Sequence, residues 1–308
     1  MNFLIRTIAP AAVLLYGLLP ITGLTATSAC PAQLAFEKRP LEVLPGPYTK
    51  GLLWKIKPPG APASYLFGTM HVAIARLPPA VALAVVKADS FITETVLDQS
   101  ATGYYQAQMY SANAPNVGSL FKFPFRERLL DLLVAYGFDR KTALRLKPWA
   151  AFTALSRPKP TGVATLDQML EVVARQRGTP VHGLETVEEL VATLDGIPLN
   201  QQRMIVRDTV CNRTQIEHQA QELATRYLDQ DLAGMVAVSN RYEPHNPAVA
   251  RTFKKRLLDD RSRRMLKRLQ SYLKQGSAFI AVGALHLPGK QGLLQGLASQ
   301  GYRVTVIH

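Results

Sequence analysis

Two short stretches of this 308-residue chain carry one chemistry-bearing pattern. Phe67-Gly68-Thr69-Met70-His71-Val72 and Val282-Gly283-Ala284-Leu285-His286-Leu287 both read apolar, Gly, any, apolar, His, apolar. Imidazole is the side chain whose ordinary pKa lies closest to neutrality, and its neutral form ligates divalent metals. Two neutral imidazoles with one carboxylate make the ligand set of an open catalytic metal site, in which water keeps the vacant position. A bound ion lowers that water's pKa from 15.7 to about 7, so hydroxide becomes available at neutral pH. The chain has six histidines, and these two share the same local setting.

That setting depends on strands. Ser64-Tyr-Leu-Phe67 and Ser277-Ala-Phe-Ile-Ala-Val282 are apolar runs of the kind buried on both faces of a parallel sheet. After the second run come Gly283-Ala-Leu-His286-Leu-Pro-Gly289, a helical stretch from Gln291 to Gln300 and a strand from Tyr302 to Ile307. This is one right-handed crossover unit, and ligands bind at the carboxyl ends of such strands. Gly68 and Gly283 are expected to let the backbone turn sharply ahead of each histidine, and Gly289 closes the longer motif. Gly51 to Lys57 reads as an opening strand in a hairpin with the Tyr65 strand. A helix starts at Pro78-Pro79, and the strand Ser90 to Thr93 ends at Glu94. That unit is expected to place Glu94 beside His71, which makes His71, His286 and Glu94 the candidate metal ligands. The fold class expected is α/β, a mainly parallel sheet of four to six strands with crossover helices. A large helical portion, about 103–275, is inserted into a single domain over residues 30–308.

Two more residues join the candidate site. Glu185 follows the short strand Thr179-Pro-Val-His-Gly-Leu184. It reads either as a second carboxylate for proton transfer or as an acid at the positive end of a helix. Residues 251–268 hold nine Lys and Arg against Asp259 and Asp260. A helix there turns Leu258, Ser262, Met265, Leu269 and Tyr272 inward and Arg263, Arg264 and Lys267 outward. Arg261 falls at the edge of the buried side, where it can orient Glu94 or clamp a substrate carboxylate. Glu94, Glu185 and Arg261 are thus the catalytic candidates.

With these residues named, the chain resembles the TraB/GumN family, which includes the Tiki-type metalloproteases. The two Gly-x-x-His motifs carry the resemblance. Glu94 in Phe91-Ile-Thr-Glu94-Thr, Pro148-Trp149, Gly183-Leu-Glu185-Thr and Asp260-Arg261-Ser262 ahead of Met265 support it in order. At the last of these the family usually carries Glu-Arg-Asn. The resemblance covers roughly residues 50 to 308. It implies peptide hydrolysis dependent on a divalent ion such as Zn, Mn or Co, with a peptide or protein as substrate. The family is also similar to the erythromycin-esterase and haem-uptake fold, which implies a metal-independent alternative in which His and Glu activate water directly. A non-catalytic periplasmic protein that binds a peptide or small ligand in the same crevice is the third reading. Neither a His-Glu-x-x-His helix, a Gly-x-Ser-x-Gly elbow nor a phosphate loop is present.

Composition bounds the setting. Residues 1–29 combine Arg6, an apolar run from Ile8 to Leu19 and small residues up to Ala29, the pattern of a secretory signal peptide. A lipoprotein signal would want a leucine-like residue where Thr27 stands. The expectation is therefore a secreted or periplasmic protein starting near Cys30. Cys30 and Cys211 are the only cysteines, and in an exported protein the pair reads as a disulfide. The formal charge of +14 has no aromatic-interleaved stripe or nucleic-acid motif beside it, which excludes that class. Outside the cytoplasm such a charge suits an anionic membrane or polysaccharide surface.

Overall fold

The computed structural model describes Cys30 and residues 46–70, 77–111, 113, 115–159 and 163–308. The signal-like segment and His71 lie outside the described residues. Six strands form one sheet: β1 (Leu53–Lys57), β2 (Ser64–Thr69), β3 (Ser90–Thr95), β4 (Val181–Glu185), β5 (Ala278–Gly283) and β6 (Arg303–Val306). Their order is β4-β3-β5-β2-β1-β6. β4, β3, β5 and β2 pair in parallel, whereas β1 runs antiparallel to both β2 and β6. The fold is α/β, with a mixed sheet whose site-bearing half is parallel.

Residue types explain the order. Ala278 to Val282 are all buried, as an interior strand covered on both faces requires. From Trp54 on, β1 instead buries Trp54 and Ile56 and exposes Lys55 and Lys57, the alternation of a strand with one wet face. Phe279 fixes the central register, with its ring 6.0 Å from that of Phe91 on β3 and 6.2 Å from that of Phe67 on β2. A slip of one residue would turn these rings to the opposite face.

One expectation changes here. The unit running from β2 through the helix Pro79–Val86 to β3 does not put those strands side by side, because β5 pairs with both. The crossover leaves a gap that a strand from the end of the chain fills. The carboxyl ends of β2, β5, β3 and β4 consequently stand in a row, so Glu94 neighbours the His286 loop.

The sheet has its own core, built from Phe67, Phe91, Ile92, Phe279, Met265, Leu269 and Leu294 among others. A second apolar cluster is helical and gathers Phe121, Leu129, Leu133, Trp149, Phe152, Ile205 and Val206. Cys211 ends the helix Leu199–Cys211 beside this cluster and is disulfide-bonded to Cys30, with Cα atoms 5.4 Å apart. Such a bond belongs in an oxidising compartment. Among the described residues no helix is long and apolar enough to cross a membrane.

Candidate functional site

β5 ends at Gly283, and Ala284–His286 form a single 3-10 turn that buries the imidazole to 4% exposure. Gly283 is not needed for that turn: its φ of −54° and ψ of 132° suit any residue. Its role is close approach. The Gly283 N–H donates to Glu94 Oε1 at 2.6 Å, and a Cβ here would stand 3.1 Å from that oxygen. Gly68 is likewise a contact point, where a Cβ would meet Leu287 Cδ1 at 2.7 Å and Ala284 Cα at 3.1 Å. The two glycine motifs therefore pack against each other. Gly289 differs, with a φ of +85° that favours glycine.

The His286 ring is held at both nitrogens. Nδ1 lies 2.8 Å from Ser262 Oγ, while Nε2 lies 3.8 Å from Glu94 Oε1 and 3.5 Å from Arg261 Nη1. Arg261 also donates to Glu94 Oε2 and, through Nε at 2.9 Å and through Nη2, to Glu185 Oε1. Burial disfavours the Arg261 charge, yet Glu94 and Glu185 together push its pKa above the already high arginine range. One guanidinium thus joins the ends of β3 and β4 and reaches the loop after β5.

Arg261 and Ser262 owe their direction to an irregular helix. Lys255–Asp259 forms a π-turn immediately before the helix Asp260–Gln275. Wide turns of this kind re-aim side chains and occur at functional sites. Ser262, Met265 and Leu269 are buried as the helical spacing predicts. Leu273 takes the last buried position, and Leu258 and Tyr272 are only half-buried.

Arg264 departs from the expected outward direction. It reaches Glu185 Oε2 at 3.0 Å, because Arg261 and Arg264 stand one turn apart and the fully enclosed Glu185 carboxylate offers one oxygen to each. Glu185 is thus part of this ion-pair network rather than the acid of a helix start. Thr186 caps the helix Val187–Asp195, and Glu189 completes the capping box. Glu189 also pairs with Arg268, whose hydrogen bond holds its carboxyl near pKa 2, well below the usual 4.5.

The end of β2 has partners that sequence reasoning missed. Thr69 Oγ1 donates to Asp167 Oδ1, and Tyr227 donates its hydroxyl to the Gly68 carbonyl at 2.8 Å. Burial, then the Asp167 charge, pushes the Tyr227 pKa up. Asp167 and Tyr227 lie about 100 and 160 positions away in the chain, so no local pattern marks them.

Among the described residues, no three His, Cys, Asp or Glu side chains converge as a metal-ligand set. His286 Nε2 and Glu94 Oε1 do suit two positions of one. Bonds of about 2.0–2.2 Å at a tetrahedral angle put two ligand atoms roughly 3.4 Å apart, close to the 3.8 Å found. His71, the third residue of the expected set, follows β2 in sequence and lies outside the described residues.

No curated protein matches the chain. The model of the TraB/PrgY/gumN family matches residues 52–306, spanning every strand of the sheet and all the described site residues. The chain belongs to the TraB/PrgY/gumN family.

Proposed function

We propose that the chain is a hydrolase that uses a divalent metal and takes a peptide or protein as substrate. The observation that carries this reading is the His286–Glu94 pair, 3.8 Å apart at the ends of adjacent parallel strands. With Nδ1 engaged by the Ser262 hydroxyl, Nε2 is the nitrogen left to face Glu94 and an ion. His286, Glu94 and His71 would hold the ion, which supplies a water acidic enough to be hydroxide at neutral pH. Glu185 and Arg261 set the charge around that centre. Arg261 pairs with Glu94 and fixes the carboxylate orientation, while Glu185 keeps the guanidinium in place.

One observation favours a second reading, hydrolysis without a metal. Arg261 Nη1 stands 3.5 Å from His286 Nε2, so a fixed cation already faces the imidazole. In that case His286 takes a proton from water with Glu94 as its partner.

Both readings are tested on the purified chain by metal content and cleavage of a fluorogenic peptide library. The metal reading expects one divalent ion per chain, with both the ion and cleavage lost in His71→Ala and His286→Ala. Cleavage that survives chelation but not His286→Ala selects the metal-free reading. Cleavage unaffected by His286→Ala overturns both.

A further inference from the structure

We propose that the outer face of the helix Asp260–Gln275 carries an anion-binding groove, separate from the His286 centre, that takes a phosphate-type dianion. The groove has a volume of about 480 Å³ and is lined by Asp260, Arg263, Arg264, Lys267 and Arg268. These positions recur at three and four residues, so they form one helical stripe. The Glu185 carboxylate stands between this groove and Arg261, with Oε1 meeting Arg261 and Oε2 meeting Arg264.

The cations of the stripe are incompletely balanced. Asp260 is shared by Lys255 and Arg263, Glu189 is taken up by Arg268, and Glu185 is divided between Arg261 and Arg264. Lys267 is exposed and makes no ion pair among the described residues. Arg264 Nε is buried and has no hydrogen-bond partner among them. A tetrahedral dianion accepts from several donors at once, which suits three guanidinium forks around one ammonium better than a single carboxylate does. A hollow of this size admits a phosphate ester as readily as inorganic phosphate. A lipid headgroup and a soluble phosphate present the same chemistry.

The test follows arginine Nε–H resonances by NMR at constant ionic strength, so that general screening is matched. Inorganic phosphate is titrated in one arm and vesicles containing phosphatidic acid in the other. Arg263→Gln/Lys267→Gln is the variant, since both side chains are exposed and neither belongs to the His286 centre. Saturable shifts with phosphate, weakened about tenfold or more in the variant, are the expected result. Binding confined to the vesicles, and again lost in the variant, assigns the headgroup as the source of the phosphate. No saturable binding in either arm overturns the proposal, as does binding that the variant leaves unchanged.

Discussion

Ser262 Oγ lies 2.8 Å from His286 Nδ1, and both residues are buried. A hydroxyl in this place fixes the orientation of the imidazole, so that Nε2 is the nitrogen facing Glu94. Ser262→Ala should lower kcat/KM about tenfold to a hundredfold, as the loss of an orienting partner does, while stability falls by only about 1–3 kcal/mol. Peptide cleavage together with urea unfolding checks this. Unaltered kcat/KM would remove Ser262 from the site.

Arg261 is the common partner of the buried Glu185 and the half-buried Glu94, so its loss takes this cation from Glu94 and leaves Glu185 only Arg264. Arg261→Met should destabilise the fold by about 3–5 kcal/mol. Arg261→Met with Glu94→Gln should recover part of that loss, since Glu185 keeps Arg264 as its partner and the Glu94 charge is gone. Urea midpoints of the two proteins decide the point. A single variant as stable as the wild type would mean that the network contributes nothing to folding.

The Glu189–Arg268 pair predicts a pH dependence. Glu189 is held near pKa 2 against an ordinary 4.5, so its stabilisation is full above about 4.5 and is lost as pH falls toward 2. Both side chains are partly exposed, which limits the effect to about 1 kcal/mol or less. Glu189→Gln should accordingly be slightly less stable than wild type at pH 6 and equal to it near pH 2. Thermal midpoints across that range would reveal the convergence. Parallel curves would contradict it.

The Cys30–Cys211 bond closes a loop across a sequence separation of 181. On the chain-entropy account, cutting it raises the entropy of the unfolded chain by an amount worth about 5 kcal/mol. Cys30→Ala/Cys211→Ala should therefore have a clearly lower urea midpoint than wild type, as should the reduced protein. The two should agree with each other. A midpoint that does not move on reduction would show that the unfolded chain keeps its ends together without the bond.

Gly283→Ala tests the close approach of β5 to Glu94. The added methyl would sit 3.1 Å from Oε1, which is tight enough to push the carboxylate from the Gly283 N–H. Activity should fall at least tenfold while unfolding shifts by about 1–2 kcal/mol. Full activity would show that Glu94 tolerates displacement.

What the sequence determined by itself was local. The repeated Gly-x-x-His after an apolar run placed both motifs at strand ends, because a continuous buried run has few alternatives to an interior strand. Helical spacing likewise set Ser262, Met265 and Leu269 on one inward stripe. The even pair of cysteines in a chain read as exported was enough to suggest the bond now seen. Strand order, by contrast, was a tertiary decision. Sequence proximity put the Glu94 strand next to β2, yet β5 enters between them, since its Phe279 ring fills the space shared by Phe67 and Phe91. Arg264 shows the same limit. Its spacing marks a solvated face, and only the buried Glu185 carboxylate gives it a reason to turn inward. Periodicity records which face of an element is apolar. It does not record which charged group from a distant strand waits across that face, and the gain from pairing a buried charge outweighs the spacing when one is there.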